Sequence, residues 1–441
     1  MACRSSIDSR TQHPAPEFYP LEPIIFTNQL ETTSTRKRRI NQYLRGDKIG
    51  KGRHGEVYLC QDSQSNNREV ALKVVKRSHP RDKMKLLRKN YQQGESSSSH
   101  KLPPNSTENS IRKEIAVLKA CGRHPNLVTL LEVIDDSREE KIYLVLEYLS
   151  GGPVEWATPD HTPLLTLEQT RRILRDVILG VEFMHSKNIL HRDIKPANIM
   201  YTEDRRSVKL IDFGVSHIIY PGSSKKSTKG AENSDREIFP PSDLLKRIGT
   251  PSFLAPEVVW FAESPELSFS ASQESMPSTS SDTTVVNTFP MPKTRPPITK
   301  AVDIWALAIT FYCLLFGHTP FTGSTDENDN VHHNELMLYH RICTQDWTLG
   351  DSMGVERIPT EGRHPKDRCS DGFLVVQLLE GMLQKNPQAR ISLLDVKKHT
   401  FVLRDIPNPK EWLRRTAQTP PERYSTCWAK RMFGKLLHKN K

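Results

Sequence analysis

From Tyr43 onward, short apolar runs alternate with polar positions: Tyr43-Leu44, Val57-Tyr58-Leu59, and Val70-Ala71-Leu72-Lys73-Val74-Val75. Runs of this length and composition predict antiparallel strands, with a glycine-rich turn between the first two. A charged stretch at 76–89 and a Ser-, Pro- and Asn-rich insert at about 90–110 follow; the insert has no apolar period and predicts disorder. Ile111, Ile115 and Leu118, spaced i, i+4, i+7, then start a helix with one apolar face. Residues 128–133 and 142–147 read as two more strands. After Gly151-Gly152-Pro153 the period becomes helical. Residues 167–185 carry an apolar stripe of Ile173, Leu174, Val177, Ile178, Val181 and Met184. Further helices are expected at 302–316, 335–343 and 373–383. Polar inserts at about 220–241 and 263–297 separate them, the second dominated by Ser, Thr and Pro. Strands first and helices afterwards predict an α+β fold in two lobes.

Composition narrows this picture only a little. Hydrophobic residues make up 36% of 441 residues, below the roughly 45–50% of ordinary globular domains, as polar inserts in a normal core would produce. The net charge of +11 is compatible with polybasic tails and phosphate-binding grooves as well as with nucleic acid, so charge alone decides nothing; no nucleic-acid partner is expected. Seven scattered cysteines without a CxxC pair suggest neither a zinc site nor a disulfide framework. Residues 1–23 lack the apolar core of a signal peptide. The longest apolar run, 304–316, is shorter than the ~20 residues of a membrane span. The expectation is a protein of a reducing compartment with no transmembrane segment, cytoplasmic and, given Arg36-Lys37-Arg38-Arg39, open to a nuclear role. That basic run reads more simply as part of a solvated leader, 1–42.

Five motifs carry chemistry. Gly50-Lys51-Gly52-Arg53-His54-Gly55-Glu56-Val57 has the spacing of a flap that brings backbone N–H groups onto phosphates. A strand follows it rather than a helix, which argues against dinucleotide binding. Lys73, flanked by apolar residues, needs anions if buried; phosphates and Glu114 would satisfy it, whereas at a sheet edge it would simply snorkel. His191-Arg192-Asp193-Ile194-Lys195-Pro196-Ala197-Asn198 holds a base, a cation and an amide at close spacing. Asp193 can accept the proton of an attacking hydroxyl, Lys195 can neutralise a transferring phosphoryl group, and Asn198 can ligate a metal ion. Asp212-Phe213-Gly214 follows an apolar strand and supplies a metal carboxylate; Mg²⁺ asks for few carboxylates beside phosphate oxygens. Ala255-Pro256-Glu257 places a glutamate for which Arg390 is the candidate partner. Any one of these arises by chance; the five in this order do not.

Together they resemble a eukaryotic protein kinase domain over about 43–403, with an antiparallel-sheet N-lobe (43–150) carrying one helix and a mainly helical C-lobe (151–403). Asp193-x-Lys195-Pro196 and Gly249-Thr250-Pro251 resemble the serine/threonine branch. The resemblance implies ATP and Mg²⁺ as cofactors. Ile49, Gly50, Lys51, Gly52, Gly55 and Val57 would cover ATP, Val57 and Ala71 would flank adenine, and Lys73 would pair with Glu114. The backbone of Glu147 to Leu149 would meet the adenine edge, with Leu146 as gatekeeper. Asn198 and Asp212 would hold metal, Asp303 would brace the catalytic loop, Thr250 would touch Asp193 and Lys195, and His191 would pack rather than react. Ile40-Asn41-Gln42-Tyr43, Gly152-Pro153-Val154 and Asp212-Phe213-Gly214-Val215-Ser216 further resemble calcium/calmodulin-dependent protein kinase kinases. That group implies an upstream kinase whose protein substrates are activation-loop threonines of AMP-activated-type and calmodulin-dependent kinases. The alternative is a catalytically silent scaffold of the same fold, binding partners through its inserts.

By the same resemblance, Arg192 calls for an anion in the activation segment. Ser227, Thr228, Ser234 or Ser242 would serve if phosphorylated, and Asp235, Glu237 or Asp243 could substitute. In the tail, 404–441, the basic segment 428–439 carries Trp428, Met432 and Leu437 as anchors. It suits a calmodulin groove or an anionic membrane, and equally a tail that packs on the domain or stays solvated.

Overall fold

A computed structural model describes residues 23–33, 39–52, 55–77, 106–220, 238–261, 292–323 and 331–417. The alternating runs of the first half form one eight-stranded sheet. Its strands are β1 (Ile25–Thr27), β2 (Thr32–Thr33), β3 (Arg39–Ile40), β4 (Tyr43–Lys51), β5 (Gly55–Asp62), β6 (Arg68–Lys76), β7 (Leu130–Ile134) and β8 (Lys141–Glu147), in the order β1-β7-β8-β6-β5-β4-β3-β2. Period-two alternation along β6 sends Val70 and Leu72 to a cluster with Tyr43, Cys60, Tyr143 and Val145. Ala71, Lys73 and Val75 face the opposite way, toward helix α1 (Ser106–Cys121). That helix buries Ile111, Val117 and Leu118 against the sheet and the rest of the core.

Beyond the sheet the chain is mainly helical, with α2 (Leu167–Ser186), α3 (Pro256–Val259), α4 (Ala301–Phe316), α5 (Val331–Thr344), α6 (Asp371–Met382), α7 (Leu393–Lys398), α8 (Thr400–Leu403) and α9 (Pro409–Arg415). Short strands β9 (Ile189–Leu190), β10 (Ile199–Tyr201), β11 (Val208–Leu210) and β12 (His217–Ile218) lie in its upper part, β10 pairing with β11 and β12 with β9. Thr166 starts α2 with a capping box, its hydroxyl accepting from the Gln169 amide while the Gln169 side chain accepts from the Thr166 amide. All sixteen residues of α4 are buried. A helix apolar all round is the central post of such a lobe, and Gly317 ends it at φ +77°. The bilobal α+β architecture expected from the pattern is the one observed. No helix among the described residues is long and apolar enough to cross a membrane.

Several boundaries differ from expectation. Part of the expected leader is structured: β1 runs parallel to β7, pairing Phe26 with Val133, and β2 and β3 extend the other edge of the sheet. Buried Glu132 secures this, accepting from Tyr43 Oη at 2.6 Å, Gln42 Nε2 at 2.9 Å and the Thr27 hydroxyl. Helix α1 begins at Ser106 rather than Ile111, its polar first turn supported by an Arg112–Glu108 pair at 2.7 Å. The ends of the two later inserts are also held. Phe239 is buried edge-on to His217, with ring centroids 5.5 Å apart, and 292–297 is tied down through Arg295. In the tail, α9 docks through buried Lys397, which reaches Glu182 at 2.6 Å and the Thr416 carbonyl at 2.8 Å. Apart from the start of α1, these differences come from partners remote in sequence, which local patterning cannot display. The segment 428–439, the candidate phosphosites Ser227, Thr228 and Ser234, and Asp235 and Glu237 lie outside the described residues.

Candidate active site

The glycine-rich turn joins β4 to β5, where Gly52 N donates to Gly55 O at 2.8 Å. Its glycines are there for different reasons. A Cβ on Gly55 would sit 2.0 Å from the Val74 carbonyl oxygen, so the sheet itself demands glycine. Added Cβ atoms on Gly50 and Gly52 would come no closer than 3.6 Å and 3.9 Å to their neighbours. Among the described residues nothing excludes side chains at those two positions, which is the fit expected where nucleotide phosphates would approach the backbone. Ile49 is half-exposed beside them, Lys51 is exposed and Val57 half-buried.

Strand register carries the floor of the cleft. β5 and β6 pair Val57 with Lys73, and β6 and β8 pair Ala71 with Leu146. Ala71 and Lys73 therefore share the face that looks away from the small cluster. Lys73 is buried, with Nζ 2.6 Å from Glu114 Oε1 on α1 and 3.5 Å from Asp212 Oδ1. Burial alone would lower its pKa; the two carboxylates outweigh that and hold the ammonium above its ordinary range. The snorkelling reading is excluded by this burial. At the end of β8, the Glu147 carboxylate accepts from Thr129 N at 2.7 Å and pairs with Lys209 at 2.7 Å. Its side chain is thus committed to the scaffold, and the backbone running to buried Leu149 is what remains for a ligand.

The loop after β9 holds the second group. Buried Asp303 on α4 accepts from His191 N and Arg192 N, both at 2.9 Å, and from His185 Nε2 at 2.8 Å. This braces the backbone through Arg192, whose φ of +67° is costly for a side-chain-bearing residue. His191 is fully buried, its ring centroid 5.3 Å from that of Phe213. Asp193 then projects beside Lys195, with Oδ2 2.8 Å from Nζ. Thr250 closes the triangle: its hydroxyl donates to Asp193 Oδ1 at 2.7 Å and accepts from Lys195 Nζ at 2.6 Å, and its amide donates to Oδ1 at 2.9 Å. Burial raises the Asp193 carboxyl, but the Lys195 and Thr250 hydrogen bonds prevail and hold it below the ordinary carboxylate range. It is an anion at neutral pH.

Asn198 donates its amide NH₂ to Asp193 O at 2.8 Å and to Oδ2 at 3.1 Å, which leaves the amide oxygen as its free end. Asp212, at φ +62°, presents a half-exposed side chain. For this carboxyl too burial acts upward, while the Lys73 charge and the Gly214 amide prevail and keep it ionised. One carboxylate and one amide oxygen form a hard donor set that fits Mg²⁺ completed by phosphate oxygens and water.

Three contacts in the activation segment were not legible in the sequence. Buried Asp243 pairs with Lys113, the residue before Glu114 on α1, and with Lys246 at 2.5 Å. Arg192 donates to the Lys246 carbonyl at 3.0 Å. Of the acids considered as a partner for Arg192, Asp243 lies among the described residues, and its ion pairs are with Lys113 and Lys246 rather than with Arg192. Glu257 and Arg390 form a fully buried bidentate pair at 2.8 and 3.0 Å, as expected.

A cleft with a glycine flap, an ion-paired lysine and this carboxylate–lysine–threonine triangle agrees with the match of residues 43–282 and 285–402 to the protein kinase domain. The chain belongs to the protein kinase family. This kinase is 34% identical over 380 residues to serine/threonine-protein kinase ssp1 of Schizosaccharomyces pombe, covering 86% of the chain and 45% of that protein. It is 33% identical over 396 residues to SNF1-activating kinase 1 of Saccharomyces cerevisiae, covering 87% and 30%. It is 28% identical to serine/threonine-protein kinase GRIK1 of Arabidopsis thaliana, covering 86% and 72%. The kinase thus spans less than half the length of the first two relatives.

Proposed function

We propose that this kinase transfers the γ-phosphoryl group of Mg-ATP to serine or threonine hydroxyls, and that its substrates are activation-loop threonines of AMP-activated-type or calmodulin-dependent kinases. The observation that carries the chemistry is the Asp193–Lys195–Thr250 triangle standing over Asn198 and across from Lys73, Glu114 and Asp212. In this reading Asp193 orients the substrate hydroxyl and takes its proton as the oxygen–phosphorus bond forms and the bond to the leaving ADP oxygen breaks. Lys195 offsets charge on the phosphoryl oxygens, and Lys73, held by Glu114, positions the other phosphates. Asn198 and Asp212 would hold Mg²⁺, which would neutralise phosphate charge. The completeness of this set weighs against the silent scaffold.

Support for the upstream role is narrower: the three short strings around Tyr43, Gly152 and Asp212, and a relative whose name designates it as activating SNF1. The test is incubation of the full chain with Mg-ATP and the catalytic domain of an AMP-activated-type kinase, reading phosphate on its activation-loop threonine, with Asp193→Asn as control. Transfer by the native chain alone is expected. Activity on a generic serine/threonine peptide without transfer to any activation-loop threonine would overturn the upstream role. Repeating the assay with calcium–calmodulin examines the segment 428–439.

A further inference from the structure

Arg295 stands in a stretch whose composition promised no structure, yet its guanidinium is among the most fully used in the molecule. Nε donates to the Glu257 carbonyl at 2.8 Å, Nη2 to the Val258 carbonyl at 2.8 Å, and Nη1 to the Leu245 carbonyl at 3.0 Å. The first two acceptors lie in α3, a single turn whose last carbonyls have no helical partner, so Arg295 serves there as a cap. The third does not belong to α3. Leu245 lies on the far side of the loop 246–256, which carries Thr250 onto Asp193 and Lys195. One planar fork therefore joins the two ends of that loop, as a guanidinium can and an ammonium cannot.

The neighbouring contacts point the same way. Arg192, beside the catalytic aspartate, takes the Lys246 carbonyl at 3.0 Å from the inner side, while Arg295 takes Leu245 from the outer side. Arg247 donates to the Trp260 carbonyl at 3.2 Å, and Trp260 Nε1 to the Pro292 carbonyl at 3.0 Å, adding two further ties between the loop's flank and the segment bearing Arg295. Gly249 approaches within the same loop so closely that a Cβ would lie 2.7 Å from the Arg192 carbonyl oxygen. The loop is thus held on two sides by backbone contacts that leave it little freedom. Burial and the like charge of Arg247 both depress the Arg295 pKa, an opposition tolerated because three carbonyl dipoles face the cation.

We propose that Arg295 is a positioning residue for protein-substrate recognition: by clasping Leu245 to Glu257 and Val258 it sets the loop that presents Thr250 to the catalytic pair. This rests on the kinase reading above, and it couples the substrate loop to the segment entering α4. The experiment compares the native chain of 441 residues with R295A and R295K, measuring KM for a serine/threonine protein substrate, KM for ATP, Tm, and hydrogen–deuterium exchange across 245–256. Loss of a charge-assisted bond to Leu245 predicts a rise of about tenfold in substrate KM for R295A, an unchanged KM for ATP, and faster exchange in 245–256. R295K, able to reach one carbonyl at a time, falls between. A parallel loss in both KM values together with a lowered Tm would reduce Arg295 to a cap of α3 and overturn the proposal. So would unchanged exchange in 245–256. Because exchange needs no turnover, a native chain that transfers no phosphate would refute the kinase reading while leaving this inference separately decided.

Discussion

Asp243→Ala examines the link between the activation segment and the nucleotide cleft. The carboxylate is buried between Lys113 and Lys246, and Lys113 precedes the Glu114 that holds Lys73. Removing it leaves two cations facing each other and frees α1 to move outward. Breaking a fully buried pair costs about 3–5 kcal/mol. Lys246 is 60% exposed and Lys113 20%, so solvent screens much of this and about 1–2 kcal/mol is the appropriate scale. That loss falls on the arrangement with Lys73 and Glu114 paired, shifting its equilibrium against the unpaired one by roughly tenfold. The assay is kcat/KM for phosphate transfer alongside hydrogen exchange in 106–121. The expected result is a several-fold to tenfold fall in kcat/KM with faster exchange in α1 and a Tm change of a few degrees at most. Asp243→Glu should recover part of it. Undiminished transfer by Asp243→Ala, with α1 as protected as before, would show that the helix is held by its apolar face alone and would refute the reasoning.

Asp193→Asn and Lys73→Met should each abolish transfer; Asp193→Asn should leave Tm within a few degrees, whereas Lys73→Met strands the buried Glu114 carboxylate and should lower it; persistent transfer by either would contradict the roles proposed. Arg390→Met strands the Glu257 carboxylate at a site with no side-chain exposure for either partner, and a loss of about 3–5 kcal/mol is expected in urea unfolding. A midpoint close to that of the native chain would mean that the site relaxes to admit water. Asp176 on α2 is pushed up to about 7 by burial, against the lowering effect of the Val208 amide and Asn126. Its folded pKa exceeds the unfolded value, so the folded state binds the extra proton between about pH 4 and 7, and stability falls as pH rises through that window, by a few kcal/mol at most. Asp176→Asn should flatten this slope when urea midpoints at pH 5 and 7.5 are compared; parallel slopes would reject the assignment.

The chemistry was legible because it is written in short strings whose members are neighbours in the chain. Asp193, Lys195 and Asn198 share one loop, and Asp212 follows one strand, so spacing alone named them. The core was legible for a related reason: burial of both faces makes β6 a nearly continuous apolar run, burial of one face imposes period 3.6 on α2, and α4 is apolar all round because it is buried all round. Tertiary structure decided the pairings. Whether Lys73 lay at an edge or in a cleft depended on Glu114, 41 residues away, and on Asp212, 139 residues away. Which acid answered Lys113 was settled by the fold, which places Asp243 against α1. The strand at Ile25–Thr27 and the clasp at Arg295 left no mark on the sequence, because each satisfies polar backbone groups contributed by residues far along the chain. An isolated Arg among prolines, or three apolar residues in a polar leader, acquires a partner only when the fold brings one to it.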